Sequence, residues 1–304
     1  MMDVLKGFPH VFFTNLESRT IRKKYMENQL IKWKIPYTPV VMEEGLPQFV
    51  LDKVLDIPHD ETCKRGISYN TYILETMREW YQSTNDPYMI IMEDDFDLSL
   101  ISKWHFTWEE FIARLPYDWD CIQLGFECPD ILRFYLHPTQ PNYSLGPTLV
   151  NRHHVEKLLD IFTKNGKYDY DLPLANHLYM ERMSSGVLDG VEGNLLGLAG
   201  CPDYWLAQAG NSYSIPLIPS CPYFVGETHL GRQGEWFPML SFIFCYEAYH
   251  EWWNNDKHNF TLDEFFTFGK DNDILMERNM SRWDNKYFTE LTLNKRKLFL
   301  KNYE

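Results

Sequence analysis

Four acidic side chains lie within five consecutive positions in the first third of the chain. Glu93, Asp94 and Asp95 are adjacent, and Asp97 follows after one phenylalanine. Like charges at this spacing repel one another unless a cation compensates them. Oxygen ligands without a nearby His or Cys favour a hard ion such as Mg²⁺ or Mn²⁺. The alternative, a solvated acidic turn, requires no ligand.

The residues before this cluster predict where it lies. The apolar run 88–92 is typical of a short buried strand, which would carry the carboxylates to its carboxyl end. Side chains alternate along an extended segment, so we expect Glu93 and Asp95 on one side and Asp94 on the other. Glu93 and Asp95 would then contact a metal and a ribose, while Asp94 would support those two carboxylates from the other side.

Strand and helix patterns alternate along most of the chain and predict a mostly parallel, Rossmann-like α/β sheet that binds ligands at the carboxyl ends of its strands. The predicted strands are 10–16, 37–41, 88–92, 119–124 and 148–150. The predicted helices are 19–33 with Ser18 as N-cap, 68–82, 108–115, and 152–165 ended by Asn165-Gly166. Residues 1–235 form the expected catalytic domain. Residues 236–304 form a helical, aromatic-rich extension packed on it, with helices at 239–253, 261–268 and 286–300.

Composition narrows the classes of partner. A net charge of −14 opposes binding to nucleic acid, so an anionic ligand must be held locally by a metal, helix N-termini or a few arginines. No run of 18 apolar residues occurs, and the first 30 residues lack a signal-peptide pattern. We therefore expect a cytoplasmic protein without a membrane span. The six cysteines include no C-x-x-C pair and are expected as buried thiols.

Four segments, in order, resemble glycosyltransferase family 25, the group of collagen β-galactosyltransferases and bacterial lipooligosaccharide galactosyltransferases. Residues 90–95 are similar to the family's strand followed by Glu-Asp-Asp, and residues 117–125 are similar to its Trp-Asp strand ending in Leu-Gly. The other two similar segments are 13–16 with Arg19 and Arg22 after it, and the strand-helix unit 149–159. The likeness covers roughly residues 8–220. The family has a Ser-His pair between positions 64 and 77 that segment 65–70 lacks.

The resemblance implies an A-type glycosyltransferase fold and an inverting transfer of a hexose, galactose or glucose, from a UDP-sugar to a glycan or protein acceptor. Negative charge develops on the departing diphosphate, and a divalent Mn²⁺ or Mg²⁺ would neutralise it. We expect Asp95, Glu93 and the loop residue His229 as metal ligands. The expected donor-binding residues are Thr14, Asn15, Leu16, Arg19, Arg22, Glu93, Asp94 and Arg232. Arginine forks suit phosphate oxygens, although a solvated helix face would also explain Arg19 and Arg22.

An inverting transfer also needs a carboxylate that removes the proton of the acceptor hydroxyl. We predict Asp171 as this base, with Asp169 as the second candidate, because both would open a helix beside the acceptor cleft. The alternative is that they only cap that helix. Two rival functions stay open: a metal-dependent nucleotidyltransferase, for which no triphosphate cradle is visible, and a nucleotide-sugar-binding protein without catalysis.

Overall fold

The computed structural model describes residues 3–55, 61–125, 131–139, 146–170, 202–224, 236–255, 261–266, 273–275, 295 and 297–303. The strands are β1 (Val11–Leu16), β2 (Tyr37–Met42), β3 (Tyr88–Glu93), β4 (Cys121–Gln123), β5 (Ile131–Arg133), β6 (His137–Pro138), β7 (Thr148–Asn151), β8 (Thr163–Lys164), β9 (Lys167–Tyr168), β10 (Ser212–Ser214) and β11 (Asp273–Leu275). The α-helices are α1 (Thr20–Trp33), α2 (Gln48–Lys53), α3 (Glu61–Ser83), α4 (Trp108–Arg114), α5 (Arg152–Phe162), α6 (Pro202–Gln208), α7 (Trp236–Trp253) and α8 (Leu262–Phe266). A 3₁₀ helix spans Ser99–Lys103.

A central sheet runs through the described residues in the order β2-β1-β3-β7-β4-β10-β6. The pairs β1–β2, β1–β3 and β4–β10 are parallel, whereas β7 runs antiparallel to both β3 and β4, and β6 runs antiparallel to β10. Strands β1, β2, β3, β4 and β10 therefore point the same way. Their carboxyl ends lie along one edge. The predicted α/β architecture with a mostly parallel central sheet is confirmed.

Strand β3 is apolar on both of its faces. Ile90 and Met92 belong to one large apolar cluster, whereas Met89 and Ile91 belong to the other. Since side chains alternate along a strand, these two clusters lie on opposite faces of the sheet. A strand covered on both faces reads as a continuous apolar run, and this explains the sequence of 88–92.

Several predicted boundaries are wrong. Helix α3 begins at Glu61, seven residues before the predicted start. Helix α5 ends at Phe162, and Asn165-Gly166 forms the turn of the β8–β9 hairpin. Both turn residues have positive φ, 53° and 76°, as a two-residue hairpin turn requires. Helix α1 has Arg19 as its N-cap, because the Ser18 hydroxyl instead donates to Glu44 at 2.8 Å.

The C-terminal helices contribute to the core rather than to a free surface. Trp253 and Phe265 belong to the same apolar cluster as Ile122 of β4. The Trp252 ring stacks on Phe134 with centroids 4.5 Å apart. Most of the helix predicted at 286–300 lies outside the described residues. Within the described part of the chain, no helix combines the length and apolar character needed to cross a membrane.

Candidate functional site

The acidic run forms a turn at the carboxyl edge of the central sheet. Strand β3 ends at Glu93, which lies opposite Thr14 in the parallel register with β1. The chain after β10 crosses the same edge, because the N–H of Ile218 donates to the Leu124 carbonyl at 2.8 Å and that of Cys221 donates to the Asp95 carbonyl at 2.6 Å. Residues from β1, β3 and the segment after β10 therefore meet at this turn.

Arg22 of α1 joins the two aspartates of the turn. Its Nη1 donates to Asp94 Oδ1 at 3.1 Å and to Asp95 Oδ2 at 3.3 Å. Asn15, near the end of β1, donates from Nδ2 to Asp94 Oδ2 at 2.5 Å and to the Arg19 carbonyl at 3.1 Å. Predicted donor-binding residues from β1, α1 and the acidic turn are thus in contact with one another.

The predicted alternation of the carboxylates is wrong. Asp94 and Asp95 both reach Arg22, whereas the Glu93 carboxylate accepts a hydrogen bond from Tyr69 at 2.9 Å. The extended strand ends at Glu93 and the chain turns over the next two residues, so the period of two no longer applies there.

Asp95 is buried, and its two carboxylate oxygens have different surroundings. The residue is only 7% exposed. Its Oδ1 is buried, and among the described residues no group donates a hydrogen bond to it. Burial raises the pKa of Asp95 to about 6, with Arg22 opposing the rise and Asp94 adding to it. Burial also raises the pKa of Asp94, against the lowering effects of Arg22 and Asn15. A buried carboxylate oxygen without a donor is costly unless a ligand or ion completes it.

Tyr69 of α3 belongs to the same site, and sequence reasoning did not select it. Besides Glu93, its hydroxyl lies 3.4 Å from the Thr14 hydroxyl, which in turn donates to the Met92 carbonyl at 3.4 Å. Tyr69 lies in segment 65–70, the segment in which the chain departs from the family pattern. That departure is the one sequence signal that pointed toward this position.

Asp97, two residues beyond Asp95, is an anchor for distant elements. Its Oδ1 accepts from the Ser99 N–H at 2.8 Å, and its Oδ2 accepts from the Tyr246 hydroxyl of α7 at 2.8 Å. His250 Nε2 lies 3.5 Å from the same Oδ2. Burial alone would raise the pKa of Asp97, but the nearby His250 and the hydrogen bonds from Ser99 and Tyr246 outweigh it and lower that pKa.

Of the remaining predicted site residues, the structure describes Leu16 and Asp169. Leu16 ends β1. Asp169 follows β9, where its carboxylate accepts from Lys164 at 3.1 Å and its N–H donates to the Phe162 carbonyl at 2.9 Å. Asp171, His229 and Arg232 lie outside the described residues.

The acidic turn offers only part of a site for the predicted divalent cation. Within the described ranges, no group of three or more His, Cys, Asp or Glu residues is arranged to hold a metal ion. Arg22 supplies positive charge to the aspartate pair. The Asp95 Oδ1 atom fits one metal contact, because it is buried and accepts no hydrogen bond from the described residues. Any complete coordination shell would need further oxygens, such as those of a diphosphate.

Comparisons with known proteins add little to this geometry. No protein-family model matches the chain, and no curated protein is similar to it. Among solved structures, the crystal structure of A197 from STIV is similar with a TM-score of 0.35 and 11% sequence identity, over 70% of this chain and 84% of that one. A likeness at this level indicates nothing about the function of this chain.

Proposed function

We propose that the chain is a hexosyltransferase that binds a UDP-sugar at the acidic turn and transfers the sugar, with inversion, to a hydroxyl of a glycan or protein acceptor. An A-type glycosyltransferase fold and a cytoplasmic location form part of this proposal. Support for the fold comes from five strands that point the same way and an acidic turn at their carboxyl edge.

The observation that carries the proposal is the state of Asp95. An aspartate that is 7% exposed, with a pKa raised to about 6 and an oxygen that receives no donor from the described residues, is poorly explained by packing alone. Perturbed carboxylates of this kind cluster at functional sites. The carboxyl edge of a mostly parallel sheet is also where α/β proteins bind their ligands.

Each residue of the turn has a role in the proposal. Asp95 Oδ1 would contact a divalent cation, which when bound supplies Lewis-acid neutralisation of the departing diphosphate. Arg22 would present its planar guanidinium to phosphate oxygens. Glu93, oriented by Tyr69, would accept hydrogen bonds from the ribose hydroxyls. Asn15 holds Asp94 in place and thereby orients Arg22.

The acceptor side rests on sequence alone. Asp171 is proposed as the general base that removes the proton of the acceptor hydroxyl, with Asp169 as the second candidate. His229 and Arg232 are proposed to complete the cation and diphosphate contacts.

A thermal-shift screen of nucleotide sugars, with and without Mn²⁺, tests the proposal. A ligand at about 100 times its Kd stabilises the folded state by roughly 2.7 kcal/mol, which raises the melting temperature measurably. We expect one UDP-sugar to stabilise the protein in the presence of Mn²⁺. Asp95→Ala should abolish that shift, whereas Asp171→Asn should keep it and remove transfer. A nucleoside triphosphate that stabilises the protein better than every nucleotide sugar would favour a nucleotidyltransferase instead.

A second candidate function is supported by Arg22. Because its guanidinium already compensates both aspartates, the turn could bind a nucleotide sugar without a metal and without catalysis. If this second candidate is correct, EDTA should not reduce the binding of the nucleotide sugar. No acceptor should then receive the sugar.

A further inference from the structure

A small aromatic cluster lies behind Arg22, separate from the two large apolar clusters of the sheet. Its core is Tyr25, Cys221 and Phe224, and several partly buried residues of the C-terminal segment pack against it. We call its five rings the aromatic clamp, and they belong to Tyr25, Tyr223, Phe224, Phe299 and Tyr303.

Tyr25 is the centre of the clamp. Its ring meets those of Phe224, Phe299 and Tyr303 edge-on, with centroids 5.0, 5.4 and 5.3 Å away. Phe299 also lies 4.8 Å from Tyr223 and 5.5 Å from Phe224. Such edge-to-face pairs contribute beyond the apolar area that they bury. Residues 297–303 therefore hold segment 223–224 against α1.

The clamp connects directly to Arg22. Arg22 Nη2 donates to the Phe224 carbonyl at 2.6 Å, and its Cζ lies 5.4 Å from the centroid of the Phe224 ring. Arg22 and Tyr25 are three positions apart on α1, so they share one face of the helix. The same guanidinium reaches Asp94 and Asp95 through Nη1. Phe224 thus fixes one side of the guanidinium while the acidic turn fixes the other.

We propose that the C-terminal segment 297–303 is a positioning element for Arg22, and that Phe299 is its main positioning residue. Phe299 acts through Phe224, because its ring packs against the Phe224 ring, which in turn contacts Arg22. The consequence for donor binding rests on the proposed function. The positioning of Arg22 itself does not rest on the proposed function, because it is a property of the protein without ligand.

The first experiment observes Arg22 directly by NMR, without any ligand. The Nε–H resonance of Arg22 is assigned by its loss in Arg22→Lys. We expect Phe299→Ala to shift or broaden this resonance, because the Phe224 carbonyl and ring no longer hold the guanidinium. Leu298→Ala is the matched control, since Leu298 is the preceding residue and is 67% exposed. Should Phe299→Ala fail to fold, Phe299→Leu keeps much of the volume while removing the ring edge.

The second experiment measures UDP binding by calorimetry with Mn²⁺ present. Phe299→Ala should weaken binding roughly tenfold, the factor expected when a charge-assisted contact loses its geometry. In an Arg22→Ala background the same substitution should have no further effect, since the two act through one contact.

The outcomes separate the two proposals. An Arg22 resonance that is unchanged in both Phe299 variants overturns the positioning role, as does an equal effect of Phe299→Ala on UDP binding with and without Arg22. Wild-type protein that binds neither UDP nor a UDP-sugar overturns the proposed function, while the NMR result still decides the role of the clamp.

Discussion

Asp95 and Asp97 are two residues apart and almost equally buried, at 7% and 8% exposure, yet their surroundings differ. Asp97 receives hydrogen bonds from Ser99 and Tyr246 and lies beside His250, and its pKa is lowered. Asp95 shares one guanidinium with Asp94, keeps one oxygen without a donor from the described residues, and has a raised pKa. Burial by itself therefore does not distinguish an anchoring carboxylate from one that is proposed to bind a ligand. The number of donors supplied by other elements does.

The largest effect is expected from removing the anchor. Asp97→Ala should lower the free energy of unfolding by about 4 kcal/mol, because the Tyr246 hydroxyl and the Ser99 N–H, both partly buried, lose their acceptor and His250 loses its neighbouring carboxylate. Asp95→Asn should not lower it, and near pH 7 should raise it by up to about 2 kcal/mol, since a neutral amide avoids the cost of a buried charge. Urea unfolding measures both. Asp97→Asn, which keeps an acceptor oxygen, should fall between them. Equal losses for Asp95→Asn and Asp97→Ala would contradict the distinction.

The two carboxylates should also give opposite slopes of stability with pH when no metal is present. The folded-state pKa of Asp95, about 6, lies above its unfolded value, so the folded state binds more protons between about pH 4 and 6. Stability should therefore fall over that range, by on the order of 2 kcal/mol. The lowered pKa of Asp97 has the opposite effect on the slope of stability with pH. Its contribution is present above the unfolded pKa and is lost as the pH falls through the folded one.

Unfolding midpoints measured from pH 3 to 8 in EDTA check these slopes. Asp95→Asn should remove the decline between pH 4 and 6 and leave the loss at lower pH in place. A decline of the same size in Asp95→Asn would assign it to another group.

The smallest effect on stability is expected from removing the hydrogen bond that Tyr69 of α3 donates to Glu93. Tyr69→Phe removes the hydrogen bond to Glu93 and should lower the free energy of unfolding by about 1 kcal/mol. If Glu93 holds the ribose, the same variant should weaken UDP binding a few-fold by calorimetry. Tyr117→Phe is the control, because Tyr117 is fully exposed. Loss of UDP binding without any change in stability would indicate that Tyr69 contacts the ligand itself.

The elements of the sheet were predictable because short stretches of sequence encode them. The continuous apolar run 88–92 indicates a strand buried on both faces, and β3 is such a strand. Helix α1 lies one residue from its predicted start, and the acidic cluster follows β3 as predicted. Boundaries were less predictable where two signals competed. Asn-Gly serves both as a helix stop and as a hairpin turn, and only the pairing of β8 with β9 selected the turn at Asn165.

The amino-acid sequence by itself determined that four carboxylates follow a buried strand at the carboxyl edge of an α/β sheet. Only the tertiary structure decided which of them is an anchor and which has an oxygen that receives no hydrogen bond from the described residues. Arg22, Tyr69 and Tyr246 reach the acidic run from three different helices, and no local period of the chain relates those positions to it. The physical reason is that periodicity reports which face of an element is buried, whereas the partners of a buried polar group depend on how distant elements pack.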